Sequence, residues 1–249
     1  MKIAIVGYGQ MGKMIEEAAK ERGVTVVSTI DPNTKDAKFK EITKESLHDV
    51  DVCIDFTHPS VIMGNIKKYC ELKKNVVIGT TGWYEHMSDV KSMVKNAGIG
   101  CIWSGNFSIG VNMFFKIIEE AAKVANNLDD YDIMGVEYHH NKKADSPSGT
   151  MKMIGDILLN NIERKKTAVY TMLERQIKPD EIQLSSVRGG KIPGIHEITF
   201  DSDADSITLT HTARTRKGFA KGAVMAAEFL NGKKGFYTIN DLMDKIIGG

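Results

Sequence analysis

The chain has 249 residues, 42% of them hydrophobic and 26% charged, the make-up of an ordinary globular protein with room for one large domain or two modest ones. Lys and Arg number 33 against 32 Asp and Glu, so the net charge of +1 gives no case for nucleic acid or an anionic membrane as partner, and any anion must be held by local placement. The three cysteines, Cys53, Cys70 and Cys101, form no C-x-x-C pair and read as reduced thiols of a cytoplasmic protein, and no apolar run approaches the ~18 residues of a membrane span.

Lys2 to Val6 is predicted as a short buried strand, too short an apolar run for a signal peptide. Gln10 to Arg22 follows as a helix with Met11, Met14, Ile15, Ala18 and Ala19 on one face, and Gly23 ends it. Val24 to Ile30 is the second strand, Lys35 to Lys44 a surface loop, and Val50 to Phe56, Asn75 to Ile78 and Ile99 to Trp103 three more strands. Helical patterns at Ser60 to Leu72 and Tyr84 to Asn96 lie between them, and strands alternating with helices imply a parallel, doubly wound sheet.

The rhythm changes after Ser108. Asn112 to Ala125 reads as a helix with Met113, Ile117, Ala121 and Val124 along one stripe, Tyr131 to Tyr138 as a strand, and Met151 to Glu163 as a helix with Ile154, Ile157 and Leu158 inward. Ile182 to Arg188, Ile195 to Phe200 and Ser206 to Ala213 are strands of a mixed or antiparallel sheet, the last alternating with period two as if one face were covered. Phe219 to Leu230 is a helix returning to the first domain.

Gly7-Tyr8-Gly9-Gln10-Met11-Gly12 sits between a strand and a helix, the context a dinucleotide fingerprint requires. Gly7 allows the tight turn, Gly9 lets backbone approach a pyrophosphate, and Gly12 lets the helix pack on the strand. Asp31 closes the second strand, where a carboxylate accepts hydrogen bonds from ribose hydroxyls and repels a 2′-phosphate. NADH is therefore the expected cofactor, with NADPH use open through Lys13 and Lys35. Phe56, Gly79 to Thr81, and Ser104, Gly105, Asn106 and Phe107 end strands on the same edge and join the expected cofactor contacts. The fold class expected is thus α/β: an N-terminal Rossmann sheet over residues 1–107 and 217–249, and an α+β domain with a mixed sheet over 108–216.

Glu137 to Thr150 reads E-Y-H-H-N-K-K-A-D-S-P-S-G-T. A histidine holds or releases a proton near neutral pH, and a lysine offers a compact cation to a carboxylate. Ser148, Gly149 and Thr150 precede a helix whose N–H groups can hold a second carboxylate. These are fittings for a small dicarboxylate. His139 and His140, adjacent on a strand end, face opposite ways, so at most one does proton chemistry. Asp145 orients a neighbour or caps the helix. A metal held by the histidines and Asp145 is not expected, because Lys142 and Lys143 would repel it.

At these residues the sequence resembles the dihydrodipicolinate reductase family of the lysine and diaminopimelate pathway. The match takes in Glu137, His139, His140, Lys143, Asp145 and Pro147 to Thr150, then D-F-T-x-P at Asp55 to Pro59, V-I-G-T-T-G at Val77 to Gly82, N-F-S-x-G-V-N at Asn106 to Asn112, and S-V-R-x-G around Arg188. It runs nearly end to end. The resemblance implies an NAD(P)H-dependent reductase in which His139 is the proton donor and acceptor and Lys143 a proton donor. His140, Ser148, Gly149 and Thr150 would hold a dicarboxylate heterocycle. Arg216 and Phe219, in R-K-G-F-A-K-G, match a segment near the cofactor, and the family implies a homotetramer built through the second sheet. The chain lacks the extra residue and arginine that many members carry in the glycine loop, and the acid–arginine pair after Asp31. Another amino-acid dehydrogenase, or a nucleotide-sensing protein without catalysis, would use the glycine loop equally well; neither accounts for H-H-x-x-K-x-D-x-P-S-G-T.

Overall fold

A computed structural model describes residues 1–248. In chain order the first elements are β1 (Lys2–Val6), α1 (Gln10–Glu21), β2 (Thr25–Ile30), β3 (Val52–Asp55), α2 (Pro59–Glu71), β4 (Asn75–Ile78), α3 (Met87–Ala97) and β5 (Gly100–Trp103). Then follow α4 (Ile109–Ala125), β6 (Asp132–His139), α5 (Gly149–Asn161), β7 (Thr167–Val169), β8 (Glu181–Arg188), β9 (Ile195–Asp201) and β10 (Ser206–Thr212). The chain closes with α6 (Lys217–Leu230), β11 (Gly235–Thr238) and α7 (Ile239–Gly248). It divides into two units, Met1–Asn112 together with the segment from Lys217 on, and Met113–Arg216.

The first unit is a six-stranded parallel sheet in the order β11-β5-β4-β3-β1-β2. Its strands are short apolar runs because both faces are covered. Alternation sends Ile3, Ile5, Val52 and Ile54 into one core with α1, α6 and α7. It sends Ala4, Val6, Cys53, Val76 and Ile78 into a second core with residues of α2 and α3. Each fully buried Val or Ile contributes about 1.5–3 kcal/mol. Helix ends follow local chemistry. Gly23 (φ 70°) and Gly98 (φ 64°) supply the left-handed residues after α1 and α3, and Pro59 opens α2 behind His58.

The second unit is a five-stranded mixed sheet in the order β10-β9-β6-β8-β7, so the fold class matches the sequence expectation. β6 pairs parallel with β8 and antiparallel with β9, and β9 pairs antiparallel with β10. α5 lies over β7 and β8.

Several elements differ from expectation. The apolar stripe read on α4 is largely solvent-facing, with Met113 and Val124 exposed at 55% and 62%, while Val111, Phe114, Phe115, Ile118, Ala122 and Ala125 are buried. That helix is apolar on most sides, so periodicity did not select the face, and the aromatic pair went in. β10 is an edge strand on which Ile207 stays 53% exposed, so its expected covered face is only partly covered. The Lys35–Lys44 loop is not wholly at the surface: Ala37 and Ile42 are buried, and Phe39 exchanges backbone hydrogen bonds with β2. The pattern at Tyr84 opens as a short 3-10 turn before α3. β7, β11 and α7 had no expectation in the sequence.

Candidate active site

In the first unit all strands run the same way, so the loops after β1 to β5 share one edge. Gly7 has φ 88°, and a Cβ there would strike the Phe56 carbonyl, just as one at Gly12 would strike the Gly7 carbonyl. Gly9 is different: nothing lies within 4 Å of where its Cβ would be, and it heads α1 with no side-chain cap. Open backbone at an uncapped helix N-terminus is what a pyrophosphate needs, so these residues fit a dinucleotide.

Asp31 stands at the end of β2. Its Oδ2 accepts from Tyr8 N at 2.9 Å, and its Oδ1 accepts from Asn33 N and Thr34 N at 2.8 and 3.0 Å. Burial pushes this carboxyl up, but the three backbone N–H groups outweigh it and hold it below the usual carboxylate range. It is ionised and fixed against the glycine loop. Lys13 Nζ pairs with Asp36 at 2.9 Å.

Some expected cofactor residues turn inward. The Tyr8 ring is buried and its hydroxyl donates to Glu16, so its side chain belongs to the core. Phe107 is also a core residue, 1% exposed. Thr80 is buried, its hydroxyl donating to Asp55 Oδ1 at 3.2 Å and accepting from Thr57 N at 2.8 Å. Ser104 and Asn106 bind each other. The Phe56 ring lies against Gly79, whose missing side chain makes room for it. Gly105 and Thr81 are exposed on the edge, Arg216 is exposed just before α6, and Phe219 is half-buried in its first turn. Asp55, unassigned in the sequence, ties this edge together: fully buried, it also accepts from Thr57 Oγ1 (2.6 Å), Asn65 (3.0 Å) and Tyr69 (2.7 Å).

In the second unit strand register builds the site. Glu137 on β6 lies opposite Ser186 on β8 and His196 on β9, and His196 lies opposite His211 on β10, giving one row across four strands. His139 shares the next row with Arg188. Glu137 is fully buried. Its Oε1 accepts from Ser148 N (2.9 Å), Ser186 Oγ (2.8 Å) and Arg188 Nη2 (2.8 Å). Its Oε2 accepts from the Ser148 hydroxyl and lies 3.3 Å from His196 Nε2 and 3.7 Å from His139 Nδ1. Burial opposes its charge, but the donors on His196, Ser148 and Arg188 prevail and hold the carboxyl far below its ordinary value.

Ser148 was expected to bind substrate. The structure commits both its donors to Glu137, and its Oγ caps α5 by accepting from Met151 N at 3.0 Å. Gly149, exposed, and Thr150 are left to head the helix. His139 is buried, and burial, reinforced by His196, Lys143 and Arg188 against the pull of Glu137, brings it down to about 4. Its imidazole is therefore neutral at pH 7. Lys143 Nζ pairs with Asp145 at 2.7 Å, while Lys142 is exposed. Arg188 Nη2 also donates to the Asp145 carbonyl at 2.8 Å, fastening this loop to the Glu137 row. His140 is half-buried, its backbone N–H bound to Ile192 O at 2.8 Å.

Glu137, His139 and His196 place three donor atoms within 4.8 Å of one another, a set zinc accepts. Arg188 already takes the other carboxylate oxygen, and the Ser148 hydroxyl takes the same one, so the carboxylate is supplied with protons rather than free for a cation. Glu137, Arg188, Ser186 and His196 had no role in the sequence reading. One signal was available: His196 alternates with Ile198 and Phe200 on an inward face, where a histidine demands a partner.

The chain matches the profile described as dihydrodipicolinate reductase, N-terminus, over residues 1–107, and that of the C-terminus over 110–243. It is 35% identical to the 4-hydroxy-tetrahydrodipicolinate reductase of Christiangramia forsetii over 246 residues, 99% of each chain. To that of Caldanaerobacter subterraneus subsp. tengcongensis it is 39% identical, over 95% of each. Its fold is similar to that of a dipicolinate-bound dihydrodipicolinate reductase from Paenisporosarcina sp. TG-14, with TM-score 0.78, 22% identity, and 96% and 97% of the two chains covered.

Proposed function

The chain belongs to the dihydrodipicolinate reductase family, and from that premise we propose that it reduces 4-hydroxy-tetrahydrodipicolinate to tetrahydrodipicolinate with NAD(P)H, a step of diaminopimelate and lysine formation. It is an oxidoreductase that uses a nicotinamide cofactor. The observation that carries the reading is the segment Glu137 to Thr150, where a buried imidazole, a paired ammonium and the head of α5 are gathered in one strand-loop-helix turn.

The 4-hydroxyl leaves as water, which opens a carbon conjugated with the C=N bond; the glycine-loop edge would hold the dinucleotide, which when bound would supply a hydride to that carbon. Gly149 and Thr150 N–H groups, with His140, hold one carboxylate of the substrate. Lys143, released from its exposed partner Asp145, meets the developing charge on the ring. His139 supplies the proton to the enamine left by reduction. Neutral in the chain alone, it charges when two substrate carboxylates arrive, because nearby anions raise an imidazole's affinity for a proton. Ser148 acts as a holder of Glu137.

NADH is the preferred cofactor in this proposal. Three backbone N–H groups hold Asp31 ionised at the end of β2, where a carboxylate would repel a 2′-phosphate, and Lys13 is engaged with Asp36. Asp31→Ala should narrow the gap between the two cofactors in a binding titration; an unchanged ratio would remove Asp31 from the choice. No metal takes part. The protein is cytoplasmic in this reading; no helix among the described residues is long and apolar enough to cross a membrane. It assembles as a homotetramer through the second sheet, whose open face carries Met134 and Val187 at 47% and 46% exposure. Following the near-ultraviolet absorbance of NADH after adding freshly prepared 4-hydroxy-tetrahydrodipicolinate tests the reaction. Loss of signal supports it; cofactor binding with no loss would leave a nucleotide sensor.

A further inference from the structure

His139 and Glu137 are two residues apart on β6, so they point to the same face of the sheet. The Nδ1 of His139 is sealed from solvent and has no hydrogen-bond partner. A buried ring nitrogen left unpaired is costly and calls for an explanation. The acceptor facing it is Glu137 Oε2 at 3.7 Å, a gap that a shift of under about 1 Å closes, as happens when loose apo geometry tightens on substrate binding. Beyond the ring lies Gly194, which has no side chain to cover Nε2; a Cβ there would stand 3.0 Å from that atom. One ring nitrogen therefore faces a fixed anion, and the other faces a place kept bare.

The carboxylate is held for this purpose from its far side. Ser186, Arg188 and the Ser148 N–H all bind Oε1, while Oε2 is shared by the Ser148 hydroxyl and the two histidine rings, which meet edge to face with centroids 5.2 Å apart. We propose that Glu137 is a positioning residue for His139: its Oε2 takes the Nδ1–H, fixing the tautomer and steadying the imidazolium, so that Nε2 is the atom that delivers the proton. This deepens the reductase reading and rests on it. The proton balance is simple. The Nε2–H bond of the imidazolium breaks as a bond forms to the reduced substrate, and the ring is left neutral with its remaining proton on Nδ1 toward Glu137. Water reloads Nε2 for the next turnover.

Two experiments test it. The first is long-range nitrogen–proton correlation on the full chain labelled with nitrogen-15 histidine, at pH 7.5 without substrate. The expected result is a neutral His139 carrying its proton on Nδ1; the Nε2–H tautomer overturns the proposal, whatever the reaction proves to be. The second is Glu137→Gln beside Ser186→Ala, which removes only a donor on Oε1. Glu137→Gln should lower kcat about 100-fold with KM within about 3-fold, and move the alkaline limb of kcat against pH by a unit or more toward acid. Ser186→Ala should stay within about 3-fold of the parent. The charged and titratable groups that act on His139 besides Glu137 are His196, Lys143 and Arg188. Equal losses in both variants, or a limb that does not move, would make Glu137 merely structural. If Glu137→Gln fails to fold, the tautomer of the unmodified chain still decides.

Discussion

The loop edge of the first unit and the four-strand row of the second recognise in opposite ways. At the loop edge the groups proposed to bind are backbone, and side chains are either absent, as at Gly9, or hold loops, as Asp55 holds Thr57 and Thr80. In the row the working groups are charged side chains, stacked by strand register around one buried carboxylate. The difference teaches where each can fail. A backbone site is broken by added atoms, whereas a charge row is broken by removing one partner and leaving the other unpaired in a dry place.

The largest effect is expected at Gly12, whose Cβ would run into the Gly7 carbonyl. Gly12→Val should cost about 3 kcal/mol or more and abolish cofactor binding, seen in thermal unfolding and an NADH titration. Gly9→Ala has space and should leave the melting temperature alone while weakening NADH; a melting point that falls as far as with Gly12→Val would erase the distinction between packing and binding glycines.

In the row, Arg188→Met leaves Glu137 ionised and short of its cation. A loss of about 3–5 kcal/mol in denaturant unfolding is expected, and a loss below about 1 would show that Ser148, Ser186 and His196 suffice.

Acid should reveal His139. Its pKa is lowered from 6.5 to about 4 on folding, chiefly by burial, so between those values the unfolded chain binds the extra proton. Stability rises with pH across that window and is lost as pH falls through it, by roughly 3 kcal/mol. His139→Gln should flatten this part of the profile; an unchanged slope would assign it to other groups. Smallest is Ser186→Ala, expected to cost about 1 kcal/mol because Oε1 keeps two other donors.

The two regions were not equally legible. The loop edge could be read because its signals are local: glycines at fixed spacing, an acid closing β2, and apolar runs of strand length. The row was half legible. The paired histidines and paired lysines stood out by residue type, and the family resemblance singled out His139 and Lys143, but Glu137, Ser186, Arg188 and His196 come from three strands, β6 lying more than 40 residues before β8 and β9, joined only by register. Ser148 was read as a ligand for substrate because its type suits both jobs, and only a buried Glu137 beside it decides. Where a helix is apolar on all but one narrow charged face, as α4 is outside Lys116, Glu119, Glu120 and Lys123, the pattern does not say which apolar side is covered, and Met113 and Val124 face outward. β11 was missed because a four-residue strand that opens on Gly235 after two lysines has too little periodicity to register.

The proposed enzyme divides the labour, with the cofactor held by the first unit's loops and the proton handled by His139 in the second. Measuring NADH affinity and turnover side by side in His139→Gln tests it most directly. The account predicts a dissociation constant within about 2-fold of the parent and turnover lower by about 100-fold or more. Unaltered turnover, or cofactor affinity lost in step with it, would contradict the account.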